Sequence, residues 1–452
     1  MATAAATAIP SAARRAGRRV CLVAMSAGRD PALPERISNH GMRMVEATLR
    51  AAGLADLEVL VLDVVDATAD DLADAIEDFD PDVVGFSTYI WSLPLFADVI
   101  RRLWRADATR VIVLGGPSAQ PVMLDQQPFR DLRPLVAALV TGEGERTFLE
   151  IVAAPDRSPE SLLRIAGVAV HGRDGWSRSP TRPLEHLDDL ASPYVADLVP
   201  PGGPVVLQTY RGCPFTCSFC EWGVLESPRR VRTRGHLTAE LEACARLEPR
   251  GAILVDAGLN LNEPAFTELA AAARDTGFFR DRRLICEVYP ARIADRHLDF
   301  LAGVGMPLIG VGLQSFDPTA LSTVERSFDE RRFADNVAAL GSLGHVAIEI
   351  IVGLPGDGPR TFRETFRRAR SFPCTLRVYH CVVLPSALMV RSPPEHRLEY
   401  DPVTLKMRSC LGWTGDDLDE ACQFLDAEAA REGGRSGDFL WTFPPPAGPF
   451  SA

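Results

Sequence analysis

Three cysteines inside eight residues constrain this chain more than any other feature. They are Cys213, Cys217 and Cys220, in Tyr210-Arg-Gly-Cys-Pro-Phe-Thr-Cys-Ser-Phe-Cys-Glu-Trp-Gly223. A CxxxCxxC loop of this kind can fold its sulfurs around one iron–sulfur cube, since thiolates are the usual protein ligands of such clusters. A cube has four irons, and no fourth cysteine stands at a usable local spacing; the next is Cys244, on a helical pattern. One iron is then left open, as a catalytic metal requires. The other readings are a zinc site or three unrelated thiols. Zinc ligands usually come as two CxxC-like halves, and no second half is present.

Composition sets the outer limits. The 452 residues suggest two to three domains of about 150 residues each. At 46% hydrophobic and 24% charged, the chain has ample material for large cores. A formal net charge of −12 argues against a nucleic-acid partner, which needs a basic surface. Ten cysteines in an intracellular-looking chain do not read as disulfides, and the seven outside the loop read as small buried apolar residues. No apolar run approaches the roughly 18 residues of a membrane span. Residues 1–17 lack the apolar core of a secretory signal and read as a disordered tail. An oxygen-sensitive cluster also favours the cytoplasm.

From residue 18 to 154, apolar strand runs alternate with helical patterns. The strands are expected at 18–26, 57–62, 83–87, 110–114 and 137–140, and helices at 38–52, 69–78 and 93–105. Such alternation predicts an α/β domain, a doubly wound, Rossmann-like parallel sheet that binds ligands at the carboxyl ends of its strands. Residues 155–204 read as a linker with a small hairpin, 167–170 against 176–178, followed by prolines that keep the chain extended. Six further strand runs follow, at 205–210, 252–256, 283–288, 307–313, 346–351 and 376–383, with helical patterns between them. Residues 386–452 form a C-terminal segment. It holds one amphipathic helix, Asp416 to Arg431, and a proline-rich end that cannot be helix or central strand.

The three-thiol loop resembles the signature of the radical S-adenosylmethionine enzymes, with an aromatic residue, Phe219, before the third cysteine. The segments Val84-Gly-Phe-Ser-Thr-Tyr-Ile-Trp91, Leu114-Gly-Gly-Pro117 and Gly142-Glu-Gly-Glu145 resemble the cobalamin-binding branch of that family. Together the matches run over roughly residues 18–390. The resemblance implies three cofactors: a 4Fe–4S cluster, S-adenosylmethionine and cobalamin. It also implies that 205–385 form a partial (β/α)6 TIM-type barrel, whose functional groups sit at the carboxyl ends of its strands.

In the first domain, the implied cobalamin contacts are Ser87 and Thr88, then Gly115 and Gly116, where glycines admit a nucleotide tail that a side chain would block. Tyr89 and Trp91 could wall the corrin or simply pack. Gly142, Glu143 and Gly144 could touch the tail or form a plain turn. Many cobalamin domains carry an Asp-x-His-x-x-Gly loop whose histidine ligates cobalt. Here the loop from Ser26 to Gly41 lacks it, and His40 reads as a helix-start or surface residue. In the barrel, the implied ligands are Cys213, Cys217 and Cys220 for the cluster. Asp256, Glu287, Gln314, Ser315 and Leu354 are implied for S-adenosylmethionine. Arg377 and Tyr379 share the sixth strand, with alternation deciding which points inward.

The function expected is methylation of an unactivated carbon of a small-molecule, secondary-metabolite substrate. In such enzymes one S-adenosylmethionine charges cobalamin and a second yields the radical that opens the substrate's C–H bond. An external electron donor such as flavodoxin or ferredoxin is implied. The alternatives are a radical rearrangement, cyclisation or elimination without methyl transfer, and a non-catalytic sensor that kept its cluster.

Overall fold

The computed structural model describes residues 18–26, 36–183, 186–224 and 230–446. The expected tail 1–17 lies outside these residues. The chain divides into two units, residues 1–185 with 190–199, and 186–189 with 200–452.

The first unit is a seven-stranded sheet. Its strands are β1 (Arg18–Met25), β2 (Leu57–Val64), β3 (Val83–Ser87), β4 (Val111–Gly115), β5 (Ala138–Val140), β6 (Val168–Gly172) and β7 (Gly175–Arg178), in the order β2-β1-β3-β4-β5-β6-β7. The first four pairings run parallel. Parallel strands covered on both faces read as continuous apolar runs, and Val20 to Ala24 of β1 are buried without a break. The chain steps from β1 to β2 on one side and to β3 on the other, so the topological switch lies between β1 and β3. Ligands of such sheets enter at that crevice.

Local sequence ends the helices as their chemistry requires. Asn39 caps the helix His40–Ala51, its side chain accepting from the Met42 N–H at 2.9 Å. Thr68 and Asp71 form a reciprocal capping box on the helix Ala69–Phe79. Gly85 has a packing reason: a Cβ there would stand 2.7 Å from the Phe148 ring. The missing side chain lets the helix Gly144–Ala153 lie close on β3.

The segment 155–204 does contain the expected hairpin, but as part of the first sheet. β6 pairs antiparallel with β5, Leu139 opposite Ala169, and β7 closes the edge. The sheet is therefore mixed rather than all-parallel. Three buried apolar residues, Val168, Ala169 and Val170, draw β6 onto the core.

The second unit holds the six parallel strands that the apolar runs predict. In chain order come β8 (Val205–Leu207), the two-residue pair β9 (Tyr210–Arg211) and β10 (Arg230–Val231), then β11 (Gly251–Leu254), β12 (Arg283–Glu287), β13 (Met306–Gln314), β14 (His345–Val352) and β15 (Thr375–His380). A small pair, β16 (Glu399–Tyr400) and β17 (Met407–Ser409), precedes β18 (Leu440–Phe443). The main sheet runs β18-β15-β14-β13-β12-β11-β8 and does not close, which makes the barrel partial. β18 lies antiparallel on β15 as an edge strand, so the C-terminal segment completes the sheet. Its amphipathic helix spans Gly415–Arg431 and buries Leu418, Ala421 and Leu425. Among the described residues, no helix is long and apolar enough to cross a membrane.

Candidate active site

The three-thiol loop leaves the carboxyl end of β8 and is fixed at its root by Asp256. That carboxylate is buried and accepts from the Thr209 N–H at 2.8 Å, the Tyr210 N–H at 3.3 Å and the Thr209 hydroxyl. Burial pushes its pKa up to about 7, against the pull of these donors. Every polar partner shown for Asp256 lies in the first turn of the loop, which the carboxylate thus ties to β11. Tyr210 continues the anchor, its hydroxyl donating to the Gly258 carbonyl at 2.9 Å. Gly212, with φ +98°, turns the chain into the first cysteine.

Cys217 is buried, and Cys213 and Cys220 are half-buried. Burial raises the Cys213 thiol and pushes Cys220 up to about 11. Such thiols ionise when a metal's positive charge replaces the lost water. Arg326 brings a guanidinium 4.0 Å from Cys217 Sγ, and donates to the Gly312 carbonyl at 2.6 Å. Its cation also lies over Tyr289, 4.9 Å from the ring centre, and Tyr289 packs on Phe215 of the loop. Ser218 adds a buried hydroxyl with no hydrogen-bond partner. Among the described residues no three metal-ligating side chains converge on one ion. The donor set, the open fourth iron and the nearby cation fit a 4Fe–4S cluster.

Beside the loop, one face of the second sheet carries a polar band set by strand register. Glu287 on β12 stands opposite Gly310 on β13. Gly312 stands opposite Glu349 on β14, and Glu349 opposite Arg377 on β15. Glu349 Oε1 accepts from Arg377 Nη1 at 3.3 Å and from the Tyr379 hydroxyl at 3.2 Å. Leu376, Val378 and His380 are buried in alternation with these two, so Arg377 and Tyr379 both face the band. Glu287 keeps an exposed surface at the end of β12, with protein packed around its carboxyl group. The protein around it, with Glu349 close by, raises its pKa. Glu349 is also raised by burial, and Arg377 lowers it in part. A band of carboxylates, guanidinium and phenol beside a cluster loop offers partners for the amine, carboxylate and hydroxyls of S-adenosylmethionine.

Gln314 lies at a bulge of β13 with φ +71°, which turns its side chain over Gly312. Ser315 is fully buried and faces away from the band, its hydroxyl meeting Asp357 and Thr365 at 3.3 and 3.2 Å. Leu354 is also fully buried, its carbonyl accepting from the Trp413 indole at 3.2 Å. Sequence reasoning missed Glu349 and Arg326. The signal for Glu349 was a carboxylate inside the apolar run Val346-Ala-Ile-Glu-Ile-Ile-Val352; nothing local marked Arg326.

In the first unit, the expected residues gather at the carboxyl ends of β3, β4 and β5. Thr88 is fully buried and bonds the Gly115 carbonyl through both its N–H and its hydroxyl, each at 2.7 Å. Gly116 has φ +91°, and a Cβ there would stand 2.8 Å from the Thr88 carbonyl oxygen, so this strand end admits only glycine. At Gly142 a Cβ would meet nothing within 4 Å, and at Gly115 and Gly144 only ordinary contacts. The three glycines therefore leave open floor around the turns, as a nucleotide tail requires. Glu143 is the N-cap residue before Gly144 and makes no side-chain cap bond. Ser87 approaches Asn39 at 3.4 Å, near the switch between β1 and β3. Tyr89 and Trp91 stack 4.5 Å apart, and the Trp91 indole donates to the Met25 carbonyl at 2.9 Å while 41% of its surface stays exposed. His40 starts the helix after the loop, as expected; residues 27–35 of that loop lie outside the described residues. The floor of glycines and the stacked aromatics fit cobalamin.

The family comparisons agree with this geometry. The B12 binding domain matches residues 33–152, and the Radical SAM superfamily matches residues 207–369. A 2-(S-pantetheinyl)-carbapenam-3-carboxylate methyltransferase of Streptantibioticus cattleyicolor is 26% identical over 449 residues, covering 90% of this chain and 61% of its own. The cobalamin-dependent radical SAM methyltransferase TokK of Streptomyces tokunonensis is 27% identical over 396 residues, with 79% and 54% covered. The chain thus spans about half to three fifths of the length of these curated relatives. Among solved structures, the methyltransferase TsrM from Kitasatospora setae, with cobalamin and a [4Fe-4S] cluster bound, aligns at TM-score 0.64 and 17% identity, over 86% of this chain and 81% of its own. The cobalamin-dependent S-adenosylmethionine radical enzyme OxsB aligns at 0.65 and 14%, over 91% and 67%. At these identities the likeness is one of fold. With both domains present in sequence and in structure, the chain belongs to the cobalamin-binding radical S-adenosylmethionine enzymes, whose cofactors are a 4Fe–4S cluster, S-adenosylmethionine and cobalamin.

Proposed function

We propose that this enzyme methylates an unactivated carbon of a small-molecule secondary metabolite. What carries the reading is similarity across both domains to two relatives named as methyltransferases, one of them for a carbapenam carboxylate. When bound, the cluster and S-adenosylmethionine supply a radical able to take hydrogen from carbon, and cobalamin supplies a carrier for the methyl group. The chain's own part is to hold and orient. Cys213, Cys217 and Cys220 hold the cluster, on a loop rooted by Asp256. Glu287 and Gln314 would orient S-adenosylmethionine, while Ser315 and Leu354 would hold the loops after β13 and β14. Ser87, Thr88, Gly115, Gly116, Gly142, Glu143 and Gly144 would seat cobalamin, with Tyr89 and Trp91 walling it. The domain boundaries are 18–154 for the cobalamin domain and 205–385 for the barrel, with 155–204 between them. A flavodoxin or ferredoxin would bring the electron, in the cytoplasm.

The test uses the anaerobically reconstituted full chain, methyl-deuterated S-adenosylmethionine and a small-molecule extract of the source cells. A compound that gains the labelled methyl while S-adenosylhomocysteine and 5′-deoxyadenosine both accumulate is the expected result. A compound consumed without taking up label would establish rearrangement or elimination instead.

A further inference from the structure

The segment after the barrel reaches back to the three-thiol loop, and Arg391 makes most of that contact. Its Nη1 donates to the carbonyl of Cys217 at 3.2 Å and of Cys220 at 3.3 Å, and its Nη2 donates to the carbonyl of Thr216. Nearby, the Ser386 N–H donates to Glu221 Oε1 at 3.0 Å, just past the third cysteine. The turn carrying Arg391 is itself fixed. Ala387 and Leu388 are fully buried, and the Arg391 N–H donates to the Ala387 carbonyl at 2.9 Å. The guanidinium is therefore half-buried on a rigid base, so little entropy opposes its bonds.

The chemistry of the loop explains why a cation belongs there. Three thiolates on one metal group gather negative charge, and the three carbonyl oxygens that face Arg391 carry partial negative charge of their own. A guanidinium is a planar fork of five donors, and here three carbonyls of the ligand loop meet that fork. Bonds from a charged donor are roughly twice as strong as neutral ones. Groups that orient metal ligands from behind tune both affinity and potential.

We infer that Arg391 is a positioning residue for the iron–sulfur cluster. It holds the peptide from Thr216 to Cys220 in its ligating shape and places a fixed positive charge behind it. The C-terminal segment thereby becomes part of the cluster site. The inference rests on the cluster and not on methyl transfer, so its failure leaves the proposed reaction standing.

The experiment compares wild-type protein with Arg391→Gln and Arg391→Lys, each reconstituted without oxygen. It measures the rate at which a chelator extracts iron, and the midpoint potential of the cluster by EPR titration. In Arg391→Gln, extraction is expected to be roughly 10-fold faster and the potential more negative, because the reduced cluster loses a nearby cation. Arg391→Lys keeps the charge but cannot span three carbonyls, so its extraction should be fast while its potential stays nearer wild type. That separation is one that a merely structural role would not produce. Arg408→Gln, which breaks an ion pair with Asp401 elsewhere on the segment, should change neither quantity. Wild-type extraction and potential in Arg391→Gln would overturn the assignment, as would an equal effect in Arg408→Gln. If circular dichroism shows the Gln variant unfolded, the Lys variant decides alone, and wild-type extraction there overturns it.

Discussion

Gly310 lies directly against the carboxyl group of Glu287. A Cβ on residue 310 would stand 2.6 Å from Glu287 Cδ, nearer than side chains pack. The absent side chain is what lets a carboxyl group lie over the neighbouring strand. The clashing atoms are the far end of a flexible side chain, so Gly310→Ala should displace that carboxyl at a cost of about 0.5–1.5 kcal/mol. In a Glu287→Ala background the same change should cost little, since the clashing group is gone. A double-mutant cycle read by thermal unfolding checks this, and equal costs in both backgrounds would mean that the clash is relieved elsewhere.

The anchor of the cluster loop should be pH-sensitive. Asp256 has its folded pKa raised by burial from 3.8 to about 7. In that window the native state keeps a proton that the unfolded chain has released. Stability should then fall as pH rises from about 4 to about 7, the sense required when the native state binds more protons. Asp256→Asn keeps an acceptor for the Thr209 and Tyr210 N–H groups and should flatten this part of the profile. Asp256→Ala strands those buried donors and should cost about 1–3 kcal/mol, with less iron bound. Melting temperatures at several pH values and iron content read both outcomes.

Each thiol of the loop should be needed for iron. Cys213→Ala, Cys217→Ala or Cys220→Ala should remove the visible absorption of the reconstituted cluster, while cobalamin binding by the first unit persists. A triple variant holding a full iron complement would refute the assignment. Cys244→Ala is the control and should keep its iron, because that thiol is fully buried on the helix Arg234–Ala245.

The glycines of the first unit should divide into two kinds. At Gly116 a side chain meets both a positive φ and the Thr88 backbone, whereas at Gly142 it meets a positive φ in open space. Gly116→Ala should lose stability by more than the roughly 1–3 kcal/mol of a strained backbone alone. Gly142→Ala should stay near the low end of that range. Chemical denaturation followed by a probe in this unit distinguishes them.

Cobalt should carry no histidine from the loop Ser26 to Gly41, His40 included. The cob(II)alamin EPR spectrum is expected to lack nitrogen splitting from an axial ligand and to be unchanged in His40→Ala. A single-nitrogen splitting lost in that variant would make His40 a ligand after all.

The sequence by itself determined the elements and the cluster. Apolar runs of strand length, separated by helical periods, marked five strands in the first unit and six in the second, because a buried parallel strand must be apolar on both faces. The three-thiol loop was legible because its chemistry is local: three ligands within eight residues need no distant partner. Alternation along β15 left open which of Arg377 and Tyr379 points inward; two residues apart, they share a face.

Tertiary structure decided what those elements bring together. Glu287, Glu349 and Arg377 meet only through the register of four strands, which core packing sets and no single strand encodes. The place of Asp256 at a strand end was legible, but only pairing of β8 with β11 set its carboxylate beside Thr209 and Tyr210. The hairpin looked like part of a linker until buried residues on β6 joined it to β5. Arg391 lies 174 residues from the Cys217 carbonyl that it holds. A local pattern fixes a segment's shape, whereas a contact across that distance depends on how the whole barrel returns its chain to the loop.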